Sequence, residues 1–189
     1  MPTDENNLRP FAHGDGGVTV TTKRGRAVRI RHITAQDDDL LVELYRRLSN
    51  ETRRLRFMSI HHDMPDEVLW REAHRLSDLN PHLAAALIGT VREADGAEHA
   101  VGVARLARDA DNPATAEMAI VIRDDFQRDG LGSAMLDLLI QVGLASGLTR
   151  IRAVSLAENV GIQRLIQRAG LPVSTTTSHG ETTQIITLI

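Results

Sequence analysis

The stretch ATAEMAIVIRDDFQRDGLGS, which ends at Ser133, constrains this chain more than any other. It reads as a largely apolar strand, a short polar turn and a glycine-rich entry into a long helix. Ala116, Met118, Ile120 and Ile122 fall on one face of the strand at a period of two, and Glu117, Ala119, Val121 and Arg123 on the other. Gln127-Arg128-Asp129-Gly130-Leu131-Gly132 follows, and the apolar pattern switches at once to helical spacing at Leu131, Met135, Leu138, Leu139 and Val142. A strand feeding a glycine-rich helix start turns backbone N–H groups and the positive end of a helix dipole toward an anion, the outline of a pyrophosphate site. One carboxylate, Glu117, stands on the strand just before it. The stretch therefore sets an anion cradle beside a candidate base.

At 189 residues the chain has the length of one domain and enough residues to bury a full core. A net charge of −3 offers no basic surface for nucleic acid, and aromatics at 3% are too few for a base-stacking platform. With no cysteine, disulfides, thiolate metal sites and a cysteine nucleophile are excluded. His61 and His62 are adjacent, project differently, and have no third ligand spaced with them, so no metal is expected. The opening MPTDENNLRP lacks the apolar core of a secretory signal, and no apolar run reaches membrane-spanning length. The expectation is a soluble, cytoplasmic chain without a membrane partner.

Residues 1–16 mix Asp, Asn, Pro and Gly without periodicity and are expected to be a disordered tail, leaving 17–189 as a single domain. Val18 to Thr22 and Ala27 to Ile33 alternate as two strands around Gly25. Thr34 reads as the N-cap of a helix over 35–48, with Asp37, Asp38 and Asp39 in its first turn. Short helices follow from Ser49 to Arg56 and from Pro65, the latter with Leu69, Ala73 and Leu76 inward. His82 to Thr90, Ala100 to Leu106 and the Glu117 strand read as three antiparallel strands. A helix over 131–146 closed by Gly147, a strand over 150–156, a helix capped by Asn159 and a hairpin around His179-Gly180 complete the order. This is an α/β (α+β) chain: a mixed, mostly antiparallel sheet flanked by helices on both faces.

The turn lacks the Lys-Ser or Lys-Thr of a Walker loop, and Gly130-x-Gly132 is too short for G-x-G-x-x-G. It resembles Q/R-x-x-G-x-G/A, the acyl-CoA-binding signature of the GNAT N-acetyltransferase superfamily, with Gln127, Gly130 and Gly132 at its three defined positions. The element order over residues 17–189 is similar to that of the GNAT fold. A narrower likeness lies in Arg29-Ile30-Arg31, Asp37-Asp38-Asp39, Leu48 to Arg53 and Arg56-Phe57, with Ala116-Glu117-Met118-Ala119 before the turn. That set resembles the GNAT domain of bacterial protein-lysine acetyltransferases.

The resemblance implies an acetyl-CoA-dependent N-acetyltransferase that acts on a primary amine, a protein lysine or a small molecule, as monomer or homodimer. Acyl transfer needs an uncharged amine, and Glu117, at the family's catalytic position, can take the proton as general base. The resemblance also implies that Ile120, Val121 and Ile122 pair with the pantetheine arm of acetyl-CoA, and that a backbone N–H near Ile120 serves the oxyanion. The amides of Arg128, Asp129, Gly130, Leu131, Gly132 and Ser133 would then hold the pyrophosphate beside Gln127, with Asn159 touching the cofactor arm besides capping its helix. Many members add a tyrosine as acid for the departing thiolate. The only tyrosine here is Tyr45, in the first helix, and Ser155 is the nearest hydroxyl, so the proton donor is unassigned.

Several residues carry plainer readings. Asp124 and Asp125 read as turn residues, and Trp70 and Phe57 as core. Arg46, Arg47, Arg53, Arg54 and Arg56 read as a solvated helix face, with an acidic-acceptor site or a contact to the cofactor's 3′-phosphate as the alternative. The competing functions are a non-catalytic acyl-CoA-binding sensor or partner-binding module, and a nucleotide switch, which the missing Walker lysine disfavours.

Overall fold

The structure, a computed structural model, describes Phe11 and residues 16–58 and 64–188. Its elements are β1 (Val18–Thr21), β2 (Ala27–His32), α1 (Asp38–Arg47), α2 (Asn50–Phe57), α3 (Asp66–Ser77), β3 (Ala84–Arg92) and β4 (Glu98–Arg108). They continue with β5 (Thr115–Ile122), α4 (Leu131–Ala145), β6 (Arg150–Leu156), α5 (Val160–Gln167), β7 (Val173–Ser178) and β8 (Glu181–Thr187). One sheet holds all eight strands in the order β1-β2-β3-β4-β5-β6-β8-β7. Neighbours are antiparallel except β5 and β6, which α4 connects as a parallel crossover.

Period-two alternation makes both faces of this sheet apolar, and each face needs its own cover. Leu106, Met118 and Ile151 pack beneath Met135, Leu139 and Ile166 from α4 and α5. On the other face Ala86, Ile88 and Val103 pack beneath Leu41, Leu44 and Tyr45 of α1 and Leu69 and Ala73 of α3. The expected mixed sheet with helices on both faces is what forms.

Three local features differ from the sequence reading. Helix α1 begins at Asp38, with Asp37 rather than Thr34 at its N-cap. The Asp37 carboxylate is spent elsewhere, accepting two hydrogen bonds from Arg31 and one from the Thr34 N–H. Phe57 and Trp70 are 41% and 40% exposed, not core, because Phe57 ends α2 and Trp70 turns outward from α3. Phe11, inside the stretch read as a tail, is buried: its N–H donates to the Pro81 carbonyl and its ring lies 4.6 Å from the Arg108 guanidinium. Burying such a side chain contributes about 2 kcal/mol.

Candidate functional site

Strands β5 and β6 pair only from Thr115–Arg150 to Met118–Ala153 and then part. β5 stays on β4 as far as Ile122, and β6 stays on β8 as far as Leu156, so the sheet opens into a fork. The direction of the freed backbone groups follows from the ladder. The Asp109 N–H donates to the Thr115 carbonyl and the Arg123 N–H to the Val101 carbonyl. Odd-numbered residues of β5 therefore spend their backbone groups on β4, while Ile120 and Ile122 turn theirs into the fork. Val121 belongs to the β4 side, with its side chain against the α1–α3 cluster. Of the three strand residues expected to meet the pantetheine arm, two present backbone groups to the opening.

Below the fork lies the glycine turn. Arg128 and Gly130 have φ of 56° and 90°, and Gly130 stands at the N-cap of α4. The helix start has no side-chain cap and no carboxylate in its first turn. The backbone N–H groups of Arg128 to Ser133 donate to no acceptor among the described residues, and the first helical bond is Ala134 N–H to the Gly130 carbonyl. An ordinary helix start leaves its first turn of donors unpaired; here the set extends back through Arg128. Gly132 is not demanded by internal packing, since a Cβ there would meet Leu165 at an ordinary 3.5 Å. The residues present fit a pyrophosphate: consecutive backbone donors at a helix dipole end, with no side chain on Gly130 or Gly132. Lys23, the single lysine among the chain's 22 lysines and arginines, runs across the turn, its Cγ 3.6 Å from where a Gly130 Cβ would sit.

Three aspartates hold this turn in place. The Asp129 side chain, 0% exposed, accepts from the Arg24 N–H at 2.8 Å and from Arg26 Nη2 at 2.6 Å, tying the β1–β2 loop to the turn. Burial alone would raise its pKa, but the hydrogen bonds from Arg26, Thr22 and the Arg24 N–H outweigh it and hold it below the usual carboxylate range. Asp129 can thus reach a bound anion only through its amide. Asp124 accepts from the Ser49 N–H, Ser49 Oγ and Thr52 Oγ1 at 2.6–2.8 Å and pins the start of α2. Asp125 grips Arg123, and its carbonyl accepts from Arg26. Gln127, a signature residue, donates from Nε2 to Thr52 Oγ1 and to the Ile122 carbonyl, both at 3.0 Å, so its side chain sets the turn against the fork.

Glu117 lies on the α1–α3 face near the mouth of the fork and is 51% exposed. Arg152, directly across on β6, donates from Nη2 to Glu117 Oε2 at 2.9 Å. The other oxygen, Oε1, accepts from nothing among the described residues. Ser155 is buried on the opposite face, three positions along β6 from Arg152. The Asn159 Oδ1 accepts from the Ile162 N–H at 3.3 Å, confirming the cap and leaving its Nδ2 for other contacts.

The fork between parallel strands and the uncapped glycine turn below it both fall within the segment that the family-level comparison matches. The family model for the acetyltransferase (GNAT) domain matches residues 27–172. The chain belongs to the GNAT acetyltransferase family. Acetyltransferase PA5475 of Pseudomonas aeruginosa is 29% identical to this GNAT chain over 141 residues, which is 75% of this chain and 73% of that protein. Acetyltransferase Pat of Mycolicibacterium smegmatis is 31% identical over 97 residues, 45% of this chain but 29% of Pat. Among solved structures, the GNAT domain of S. lividans PAT shares the fold with a TM-score of 0.77 at 24% identity, covering 90% of this chain and 96% of that one. The structure of yncA from Salmonella typhimurium with its cofactor acetyl-CoA has a TM-score of 0.61 at 21% identity, covering 86% of this chain and 94% of that one.

In this GNAT chain, sequence reasoning missed the anchoring roles of Asp124, Asp125 and Asp129. The signal was present only as Ser49-x-x-Thr52 and Arg24-x-Arg26, whose partners lie about 75 to 105 residues away. His61 and His62 lie outside the described residues; among the described residues, no group of three or more His, Cys, Asp or Glu is placed to hold a metal.

Proposed function

We propose that this GNAT chain is an acetyl-CoA-dependent N-acetyltransferase that passes the acetyl group directly to a primary amine, on a protein lysine or a small molecule. The observation that carries this reading is the run of unpaired amides from Arg128 to Ser133, set below the fork between β5 and β6. Acetyl-CoA supplies the activated thioester. The amides hold its pyrophosphate at the α4 dipole end, and the backbone groups of Ile120 and Ile122 hold the arm as a strand would. The Ile122 carbonyl is already taken by Gln127, which leaves its N–H and both Ile120 groups for that role. The Ile120 N–H is the donor for charge developing on the thioester oxygen. Glu117 Oε1 takes the proton from the incoming ammonium. The freed amine nitrogen then bonds to the acetyl carbon, and the carbon–sulfur bond breaks with its electron pair going to sulfur. The nitrogen's surplus proton passes to the departing thiolate, giving the amide and free thiol. Acetyl-CoA is an intracellular metabolite, which supports a cytoplasmic site of action.

One observation favours a second reading, a non-catalytic acyl-CoA-binding module: Arg152 already occupies one oxygen of Glu117. Replacing Glu117 by Gln separates the two. In an enzyme that uses Glu117 as base, calorimetry gives unchanged acetyl-CoA affinity, while thiol release falls by about 10²–10⁴-fold. Undiminished turnover would remove Glu117 from the mechanism, and turnover absent from the wild type across an amine panel would favour the binding module.

A further inference from the structure

Charged side chains from four elements converge at the mouth of the fork, and their balance says what the acceptor carries. Glu117 on β5 and Arg152 on β6 form one pair. Arg105 on β4 stands opposite Ala119, so it is the diagonal neighbour of Glu117 on the same face, at a separation of roughly 7–8 Å. Arg56, in the last turn of α2, feels the charges of both Arg105 and Glu117.

Neither Arg56 nor Arg105 makes a hydrogen bond or ion pair with any described residue, and the Nε atoms of Arg105 and Arg152 are buried without acceptors. Burial, with Arg105 alongside, pushes the Arg56 guanidinium down to about 10. Burial, with Arg75 nearby, lowers Arg105 as well. Arg56, Arg105 and Arg152 thus surround Glu117. Of the carboxylates farther out, Glu72 is held by Arg75, and among the three guanidiniums Asp109 reaches only Arg152, at 4.0 Å, so guanidiniums remain in excess beside Glu117. A simple alkylammonium would meet repulsion there, and buried guanidinium N–H groups without acceptors are costly to leave unpaired.

We propose that the acceptor is a small zwitterion: a primary amine that carries its own carboxylate or phosphoryl group, with the anion bound by Arg105 and Arg56 and the amine delivered to Glu117. This rests on the transferase reading above and narrows its acceptor class. The guanidinium fork matches either anion in a bidentate way. The diagonal spacing calls for an acceptor whose two charged ends lie a few bonds apart. The transfer is the one already written, with the acceptor's own anion as a spectator.

The test measures thiol release from acetyl-CoA with ω-amino acids from glycine to aminohexanoate beside their carboxamides, and with aminoethylphosphonate beside ethanolamine. A neutral lysine peptide serves as the macromolecular comparison. The acid-bearing member of each pair is expected to win by about tenfold or more in kcat/KM. Arg105→Met or Arg56→Met should erase that preference through KM, and Arg105→Lys should keep part of it, with acetyl-CoA affinity unchanged in all three. Whether phosphonate or carboxylate ranks first identifies the anion. Neutral amines or the lysine peptide matching the zwitterions overturns the inference and leaves the transferase standing, as does a preference that survives both methionine variants. Failure to bind acetyl-CoA at all overturns both.

Discussion

Single residues at the glycine turn separate folding from binding. Gly132 has room for a methyl group, and alanine is a better helix former by about 1 kcal/mol. Gly132→Ala should therefore leave the melting temperature unchanged or slightly raised, yet weaken acetyl-CoA by about tenfold as the methyl meets the pyrophosphate. Gly102 is the contrast, since a Cβ there would lie 2.8 Å from Ile122 Cδ1 and 3.2 Å from the Val121 carbonyl. Gly102→Ala should cost about 1–3 kcal/mol of stability. Thermal melts beside calorimetric titrations check both. A Gly132→Ala variant that binds normally would show that no ligand passes close to that backbone.

The elements were legible in the sequence where one element decides its own form. The β5 alternation, the switch to helical spacing at Leu131 and the Gln127-x-x-Gly130-x-Gly132 turn all lie within a short window. The β1–β2 loop at Gly25 and the Asn159 cap were equally local. What escaped were pairings between distant segments: Asp124 with Ser49, Asp129 with Arg24, Arg105 beside Glu117. Each side chain is an unremarkable polar residue until the fold supplies its partner. The chain of bonds Asp124–Thr52–Gln127–Ile122 ties α2 to the fork and gives these pairings a measurable weight. Asp124→Ala removes three hydrogen bonds at the α2 N-terminus and should cost about 1–2 kcal/mol in urea unfolding. Exchange of the α2 amides should quicken while those of α4 stay protected. Equal quickening in both helices would mean that Asp124 serves the whole domain rather than this junction.

For the molecule as a whole, charge pairing fixes a pH window. Asp37, Asp124 and Asp129 would be raised by burial, but their hydrogen bonds outweigh it; Arg47 lowers Glu93 and Arg123 lowers Asp125. Folded values below the unfolded ones mean stabilisation that is full above about pH 4.5 and lost as pH falls through the folded values. His99 has the opposite sign: hydrogen bonds to Glu43 and then Asp95, at 2.6 and 2.8 Å, raise its pKa. Its contribution is full below about pH 6.5 and is lost as pH rises through the raised folded value. Scanning calorimetry should find a plateau between these limits, and His99→Gln should remove the alkaline decline while keeping the acid one. An alkaline decline unchanged in that variant would assign it to another group.

The placement of Lys23 over Gly130 has a consequence for how this chain can be handled. Arginine does the work of lysine everywhere else in it, so amine chemistry finds one side chain, and that side chain borders the anion cradle. The molecule thereby resists being acylated by its own donor across most of its surface. It also offers a natural attachment point for a dye whose surroundings change when the cradle fills.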